Sequence, residues 1–292
     1  MGKSVFGQKV KRVEDPSLLR GNGRYVDDIH LPDMLHAVFV RSPVAHARIA
    51  AVDTAAALAL PGVAAVYTLE DLRGMVTGTV LPVEQPSGAL RLSASPSLLA
   101  DGEVRHVGEP VACVIAETPY IAEDAARLVD VAYDDLPVSA DYLAALKPGS
   151  PLAHSDFADN VVAAFSLAYG DVEGAFSGAA HVFREALNQH KGLGHAIECR
   201  GVAARIDPRD GVLTVWSATQ MAHRAQSILV QMLGLAEDRI RVVTPNVGGG
   251  FGPKFVFYQE EAVIPLAAMR LGRPVKWIED RREHFTAATM ER

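Results

Sequence analysis

VVTPNVGGGFGPK, residues 242–254, is the stretch of this 292-residue sequence that says most about its fold. Residues 248–252 hold four glycines interrupted by Phe251, after a β-rich run at 239–243 and before a helical pattern that starts near Tyr258. Glycine lets another group approach the backbone closely, and amides ahead of a helix suit an anionic or electron-rich ligand. The stretch therefore predicts a ligand cradle, with a tight structural turn as the alternative.

The two familiar nucleotide-binding glycine loops do not fit this stretch. A phosphate loop that starts at Gly248 needs glycine at 253 and a hydroxyl at 255, but these positions hold Pro253 and Phe255. The dinucleotide pattern also needs glycine at 253, and its acid is absent from residues 267–272. We therefore expect no ordinary nucleotide site.

The composition predicts a globular protein of about two domains. Hydrophobic residues make up 49% and charged residues 22% of the chain, and the net charge of −7 argues against nucleic-acid binding. We find no apolar run long enough for a membrane span and no secretory signal, so we expect a cytoplasmic protein. Two cysteines are too few for a disulfide framework or for an iron–sulfur cluster held wholly by this chain.

The first half of the sequence predicts strands that alternate with short helices. The expected strands are residues 35–40, 48–52, 63–67 and 111–116. A helix at 54–60 would make residues 48–67 a β-α-β unit. Thr118 is expected to cap a further helix that has Pro119 at its first position.

Loop signals divide the chain in two. Residues 74–100 are rich in Gly, Pro and Ser and predict a long loop, and Lys147–Pro151 has the composition of a linker. We therefore place a domain boundary between residues 146 and 152.

The second half predicts more strands and three helices. The expected strands are residues 161–168, 180–188, 202–206 and 213–217, the last two forming an antiparallel hairpin. Asp171 is expected to cap a short helix, and a helix at 222–233 is expected to end at Gly234. A third helix, at about 258–271, contains Pro265, which predicts a kink or a late start.

The glycine stretch resembles the Gly-Gly-Gly-Phe-Gly-x-Lys signature of the molybdopterin-binding large subunit of molybdenum hydroxylases. These are the xanthine dehydrogenase, aldehyde oxidase and aerobic carbon monoxide dehydrogenase superfamily. Similar motifs occur elsewhere in the family's order: GRYVDD at 23–28, LHAVFVRSP at 35–43, VGEPVA at 107–112, ATQ at 218–220 and EDRREHF at 279–285. The resemblance implies an α+β protein, with an α/β hammerhead domain at 1–146 followed by the first part of a mixed α/β molybdopterin-binding domain at 152–292.

The resemblance also implies roles for site residues. Gln220 would contact the oxygen ligand of molybdenum, while the amides of Gly250 and Gly252 approach the metal centre and Phe251 borders the substrate pocket. From the residues alone, Gln220 could instead bond to a helix backbone, and Phe251 could anchor a core. No residue of the chain is expected to bind the metal directly. Lys254 stays open between neutralising cofactor phosphate and forming an ion pair.

Two departures from the family pattern bear on the substrate. Phe255 stands where purine-oxidising relatives have a glutamate, which disfavours purines and adds this side chain to the expected substrate pocket. Cys199 lies in Ile197–Gly201, where the family usually has Glu-Pro-Arg-Gly, and it weakens assignment to a substrate class. Aldehydes, N-heterocycles and carbon monoxide all stay open.

The implied reaction is hydroxylation with water as the oxygen source and molybdopterin as the cofactor, in its simple form or as the cytosine dinucleotide. Electrons would leave to an iron–sulfur subunit and an FAD subunit. The family's large subunits are much longer, and their later half supplies the glutamate base. We expect this chain to be a fragment or half of a split subunit, inactive by itself. The alternative function is a non-catalytic assembly module.

Overall fold

The structure is a computed structural model that describes residues 6–82, 94–189, 192 and 194–289. The strands are Leu35–Arg41 (β1), Ala47–Asp53 (β2), Val63–Tyr67 (β3), Glu103–Val104 (β4), Pro110–Ala116 (β5), Asp130–Asp135 (β6), Gly201–Ile206 (β7), Leu213–Ser217 (β8), Ile240–Val243 (β9) and Val275–Ile278 (β10). The helices are Asp15–Leu18 (α1), Ala55–Leu58 (α2), Leu69–Arg73 (α3), Pro119–Ala126 (α4), Tyr142–Ala145 (α5), Val172–Gly178 (α6), Ala222–Leu233 (α7), Gln259–Leu271 (α8) and Arg281–Ala287 (α9). In these described ranges, none of the helices combines the length and apolar character that a membrane crossing requires.

A seven-stranded sheet joins the two halves of the sequence. Its order is β3-β5-β1-β10-β7-β8-β9, and β1 pairs in parallel with β10, with Leu35 opposite Val275. All seven residues of β5 are buried, as expected for an apolar strand covered on both faces. The sheet thus crosses the boundary expected between residues 146 and 152, which stays a prediction.

A smaller three-stranded sheet has the order β4-β2-β6. The predicted helix after β2 is present as α2, but the predicted β-α-β unit is wrong. Strand β2 belongs to the small sheet, whereas β3 pairs antiparallel with β5 in the large one. Apolar patterning identified both strands, but it carries no information about which distant strand each one pairs with.

The local cap signals are confirmed. The hydroxyl of Thr118 accepts a hydrogen bond from the Ile121 amide at 3.2 Å, and Pro119 is the first residue of α4. The carboxylate of Asp171 accepts from an amide in the first turn of α6. Gly234 ends α7 with a φ of 63°, in the left-handed region that glycine adopts easily.

The predicted hairpin is also confirmed, because β7 and β8 pair antiparallel with Val202 opposite Ser217. Helix α8 begins at Gln259 and runs through Pro265, so the late start is ruled out. In the predicted loop, residues 74–82 and 94–100 belong to no strand or α-helix, and residues 83–93 lie outside the described residues.

The strands predicted at 161–168 and 180–188 are wrong. No strand is found between α5 and β7 in the described ranges, and α6 is the helix between the two segments. Their large apolar side chains are exposed: Phe165 by 75%, Leu167 by 91% and Phe183 by 86%. The alternating pattern is that of a strand, but a strand also needs a partner to pair with.

Candidate functional site

Residues 248–252, here called the glycine loop, lie between β9 and a 3₁₀ turn, Pro253–Phe255, that precedes α8. Gly249 and Gly252 have φ angles of +105° and +96°, which side chains rarely tolerate. Phe251 itself has a φ of +54°. Such a conformation in a bulky residue is uncommon and marks a constrained loop.

Gln220 lies directly against the glycine loop. It follows β8 and precedes α7, and its amide donates to the carbonyl of Lys254 at 2.9 Å. Its side-chain Oε1 accepts a hydrogen bond from the amide of Gly252 at 3.2 Å. A Cβ atom added to Gly250 would lie 2.4 Å from Gln220 Cδ. The structure therefore brings together three residues that sequence reasoning had assigned to one site.

This arrangement leaves hydrogen-bond donors available. Within the described residues, the side-chain NH₂ of Gln220 and the amides of Gly250 and Phe251 have no acceptor. Phe251 is 68% exposed and Phe255 is 55% exposed, so Phe251 does not anchor a core. The loop thus presents N–H groups beside two accessible aromatic rings, a set that can hold a polar, electron-rich group next to an apolar molecule.

Glu198 links Gly248, the first residue of the glycine loop, to Lys254, which lies two residues after the loop. Its Oε2 accepts from the Gly248 amide at 2.7 Å and lies 2.8 Å from the Lys254 Nζ. Lys254 is buried, so of the two interpretations left open for it, the ion pair is the one found. Sequence reasoning missed Glu198, although the acid in the quoted stretch Ile197–Gly201 was an available signal.

A group of ionisable side chains lies next to this site. We call it the buried charge cluster: Arg200, Glu260, Glu279 and His284 are buried, and Arg41 and Glu283 are partly buried. Arg200 pairs with Glu279 at 2.6 Å and with Glu260 at 3.2 Å. Arg41 of β1 reaches the other oxygen of Glu260 at 2.6 Å. The cluster therefore joins the two halves of the chain.

Two adjacent glutamates on α8 have opposite pKa shifts. Burial works against ionisation of Glu260, but Arg200 and Arg41 outweigh it and lower its pKa to about 2. Burial raises the pKa of Glu261 to about 7, although the Ser217 hydroxyl donates to it at 2.6 Å. Glu261, Arg200 and Lys254 line the same small cavity. The carboxyl group with the raised pKa therefore lies near the glycine loop.

Two family models match the chain. The aldehyde oxidase and xanthine dehydrogenase a/b hammerhead domain matches residues 20–137, and the molybdopterin cofactor-binding domain matches residues 153–292. The chain belongs to the molybdenum hydroxylase large-subunit family. The resemblance and the predicted fold class, a hammerhead domain followed by a molybdopterin-binding domain, are confirmed.

Individual members of the hydroxylase family resemble the chain over nearly all of its length. The large subunit of nicotine 6-hydroxylase from Paenarthrobacter nicotinovorans is 39% identical across 98% of this chain and 35% of its own. The carbon monoxide dehydrogenase large chain of Afipia carboxidovorans is 37% identical across 98% of this chain and 36% of its own. Quinoline 2-oxidoreductase from Pseudomonas putida 86 superposes with a TM-score of 0.90 at 39% identity, over 100% of this chain and 36% of that chain.

The chain therefore spans about a third of the length of these hydroxylase relatives. In the described part of the chain, no group of three or more His, Cys, Asp or Glu side chains is arranged to hold a metal ion. The site built by this chain consists of amides, one carboxamide and two phenylalanines, which suit contact with a cofactor rather than ligation of a bare metal.

Proposed function

We propose that this chain forms the part of a molybdenum hydroxylase large subunit that holds molybdopterin against the glycine loop. The observation that carries the proposal is the contact of Gln220 with Gly252, next to Gly250 and beside N–H groups that have no acceptor among the described residues. The match of residues 153–292 to the molybdopterin cofactor-binding domain supports it.

The residues fit such a group chemically. The Gln220 NH₂ and the amides of Gly250 and Phe251 donate neutral hydrogen bonds, which hold an electron-rich ligand without adding charge. Glycine at 250 keeps room for this contact, since a Cβ there would overlap the Gln220 carboxamide. Phe251 and Phe255 border the approach of the substrate.

When bound, the cofactor supplies a two-electron oxidation of carbon with water as the oxygen source. This chain orients the cofactor and shields the reacting carbon with its phenylalanines. The glutamate base belongs to the part of the subunit outside the matched third, so the chain alone has no turnover. Electrons pass to an iron–sulfur subunit and an FAD subunit.

The finer points of the proposal follow from the sequence. Phe255 in place of an acid favours an aldehyde, an N-heterocycle or carbon monoxide over a purine. The cofactor is molybdopterin, with the cytosine dinucleotide as the extended form, and the protein is placed in the cytoplasm. The hammerhead domain is assigned to residues 1–146 and the cofactor domain to residues 152–292.

Retention of the cofactor tests the function. Purified chain is incubated with molybdopterin released from a molybdenum hydroxylase, and the retained pterin is measured as its fluorescent oxidation product. We expect Gly250→Ala, which overlaps Gln220, and Gly252→Ala, which is strained at its φ of +96°, to retain roughly tenfold less pterin than the unaltered chain.

Gly78→Ala is the matched control, because its added Cβ meets no atom within 4 Å and its φ is not positive. Equal retention by all variants would mean that the glycine loop is a structural turn. Failure of the unaltered chain to retain pterin, with or without the rest of a relative's subunit, would favour the non-catalytic assembly module.

A further inference from the structure

The GRYVDD motif at 23–28 has no part in the site described above. Its residues 24–28 form a compact turn, which we call the entry turn. The amide of Tyr25 donates to the Asp28 carboxylate at 2.8 Å, and the amide of Asp28 donates to the Tyr25 carbonyl at 3.1 Å. These two hydrogen bonds close the turn on itself.

A buried lysine fixes the entry turn to the large sheet. Lys276 lies on β10, and its Nζ donates to the carbonyls of Asp27 at 2.7 Å and of Ile29 at 3.2 Å. The Asp27 carboxylate lies 3.3 Å from the same nitrogen. A buried ammonium group is costly unless its protons have acceptors, so these contacts resist displacement of the turn.

Val26 holds the entry turn from a second direction. Its side chain is buried in a small apolar cluster with Ala203 of β7 and with Ala218, which lies two residues before Gln220. A Cβ atom added to Gly201 would lie 3.4 Å from Val26 Cγ1, so the turn also packs closely on the start of β7. The entry turn is therefore anchored to the strands that carry the site.

From this anchored position the entry turn contacts the residues that lead into the glycine loop. The Arg24 amide donates to Asn246 Oδ1 at 2.9 Å, and the Asn246 amide donates to the Arg24 carbonyl at 2.9 Å. The Tyr25 ring lies 3.4 Å from the position that a Cβ atom of Gly248 would occupy. The Cβ atom of Glu198 lies 2.5 Å from the same position, so Gly248 is enclosed by Tyr25 and Glu198.

We propose that the entry turn positions the glycine loop and that Asn246 is the positioning residue through which it acts. Gly250 and Gly252 follow Asn246 by four and six residues, so a start of the loop that is held in place also limits where their amides can lie. The proposal rests on the proposed function only for the identity of the group that the loop receives.

Amide hydrogen exchange without cofactor, resolved residue by residue with NMR, tests the positioning. Asn246→Ala removes the acceptor of the Arg24 amide, and exchange at that amide should become faster. The amide of Gly248 should also exchange roughly fivefold faster, the effect expected from the loss of one neutral hydrogen bond. Amides of the β7–β8 hairpin should keep their rates, because the change is local.

Two further variants separate positioning from folding. Asn246→Asp keeps an oxygen in the place of Oδ1 and should restore slow exchange at Gly248. Asn22→Ala, at an exposed asparagine two residues before Arg24, is the matched control and should leave both amides unchanged. An unaltered Gly248 rate in Asn246→Ala would overturn the proposal. Faster exchange in the hairpin as well would overturn it too, because Asn246 would then stabilise the whole fold.

Pterin retention connects the position of the loop with its role. Asn246→Ala should retain roughly fivefold less pterin than the unaltered chain, and Asn246→Asp should retain as much. Full retention by Asn246→Ala would overturn the claim that the entry turn prepares the loop for the cofactor. If the unaltered chain retains no pterin, the proposed function fails, whereas the exchange rates still decide whether the entry turn positions the loop.

Discussion

The glycine loop and two extended segments, residues 164–169 and 180–189, lie in the same half of the chain, but their surroundings are opposite in character. Around the loop, Glu198 and Lys254 form an ion pair, and in the adjacent cluster the buried Arg200 pairs with the buried Glu260 and Glu279. Along the two extended segments, apolar side chains as large as Tyr169 are almost fully exposed. The difference separates a loop whose flanking charges are paired within the chain from two segments whose apolar side chains are exposed.

Removing one charge from the buried charge cluster should have the largest effect on the free energy of unfolding. Arg200→Ala leaves Glu260 and Glu279 buried without a cation between them, and we expect a loss of roughly 3–5 kcal/mol in the free energy of unfolding. Urea denaturation measures it. Arg209→Ala, at an arginine side chain 89% exposed, is the control and should change stability by less than about 0.5 kcal/mol. Similar values for both variants would contradict the account of the cluster.

The pH dependence of stability tests the buried carboxyl group of Glu261, which lies near the glycine loop. The pKa of Glu261 is about 7 in the folded chain against an ordinary 4.5, so the folded state holds this proton more tightly. The contribution of Glu261 to the free energy of unfolding is therefore fully present below pH 4.5. It falls by about 3 kcal/mol as the pH rises to 7. We expect Glu261→Gln to abolish the decline between pH 5 and 7.5, measured by urea denaturation at each pH.

The same change at Glu237, which is exposed, serves as the control for Glu261 and should leave the decline in place. The shift of Glu260 runs the other way: its stabilising effect, present above pH 4.5, is lost only as the pH falls toward 2. It therefore does not interfere in the window between pH 5 and 7.5. A Gln variant whose stability still declines like the unaltered chain would show that Glu261 is not protonated at neutral pH.

Sequence reasoning worked where the determinants are local. The cap at Thr118, the left-handed Gly234 and the grouping of Gln220 with the glycine loop were all predicted. It failed where distant contacts decide: β2 and β3 lie in different sheets, and residues 161–168 and 180–188 have strand patterns but form no strand in the described part of the chain. Glu198 was missed because its partners Gly248 and Lys254 are about 50 residues away along the chain.

Substitution of Glu198 tests whether contacts within this chain are enough to hold the glycine loop in place. Glu198→Ala removes the partner of a buried lysine and of the Gly248 amide, and we expect a loss of about 2 kcal/mol in stability. Pterin retention should fall as well, because the loop loses an anchor at its start. In the double variant with Lys254→Met, stability should partly recover, since no buried charge is then unpaired. A double variant no more stable than the single one would contradict this role for the ion pair.

Gln220→Ala gives the smallest expected effect. Gln220 is exposed in the chain alone, so stability should change by less than about 0.5 kcal/mol. Pterin affinity should fall by about 1 kcal/mol, the value of one neutral hydrogen bond. Equilibrium dialysis against molybdopterin measures the affinity. Unchanged affinity would assign the Gln220 side chain to bracing Gly252 alone.

Hydrogen–deuterium exchange, followed with and without added molybdopterin, tests the account of the glycine loop most directly. Molybdopterin should slow exchange in residues 248–252 and leave exchange in residues 164–169 and 180–189 unchanged. If molybdopterin slowed exchange in residues 164–169 and 180–189 and left the glycine loop unchanged, that result would contradict the account.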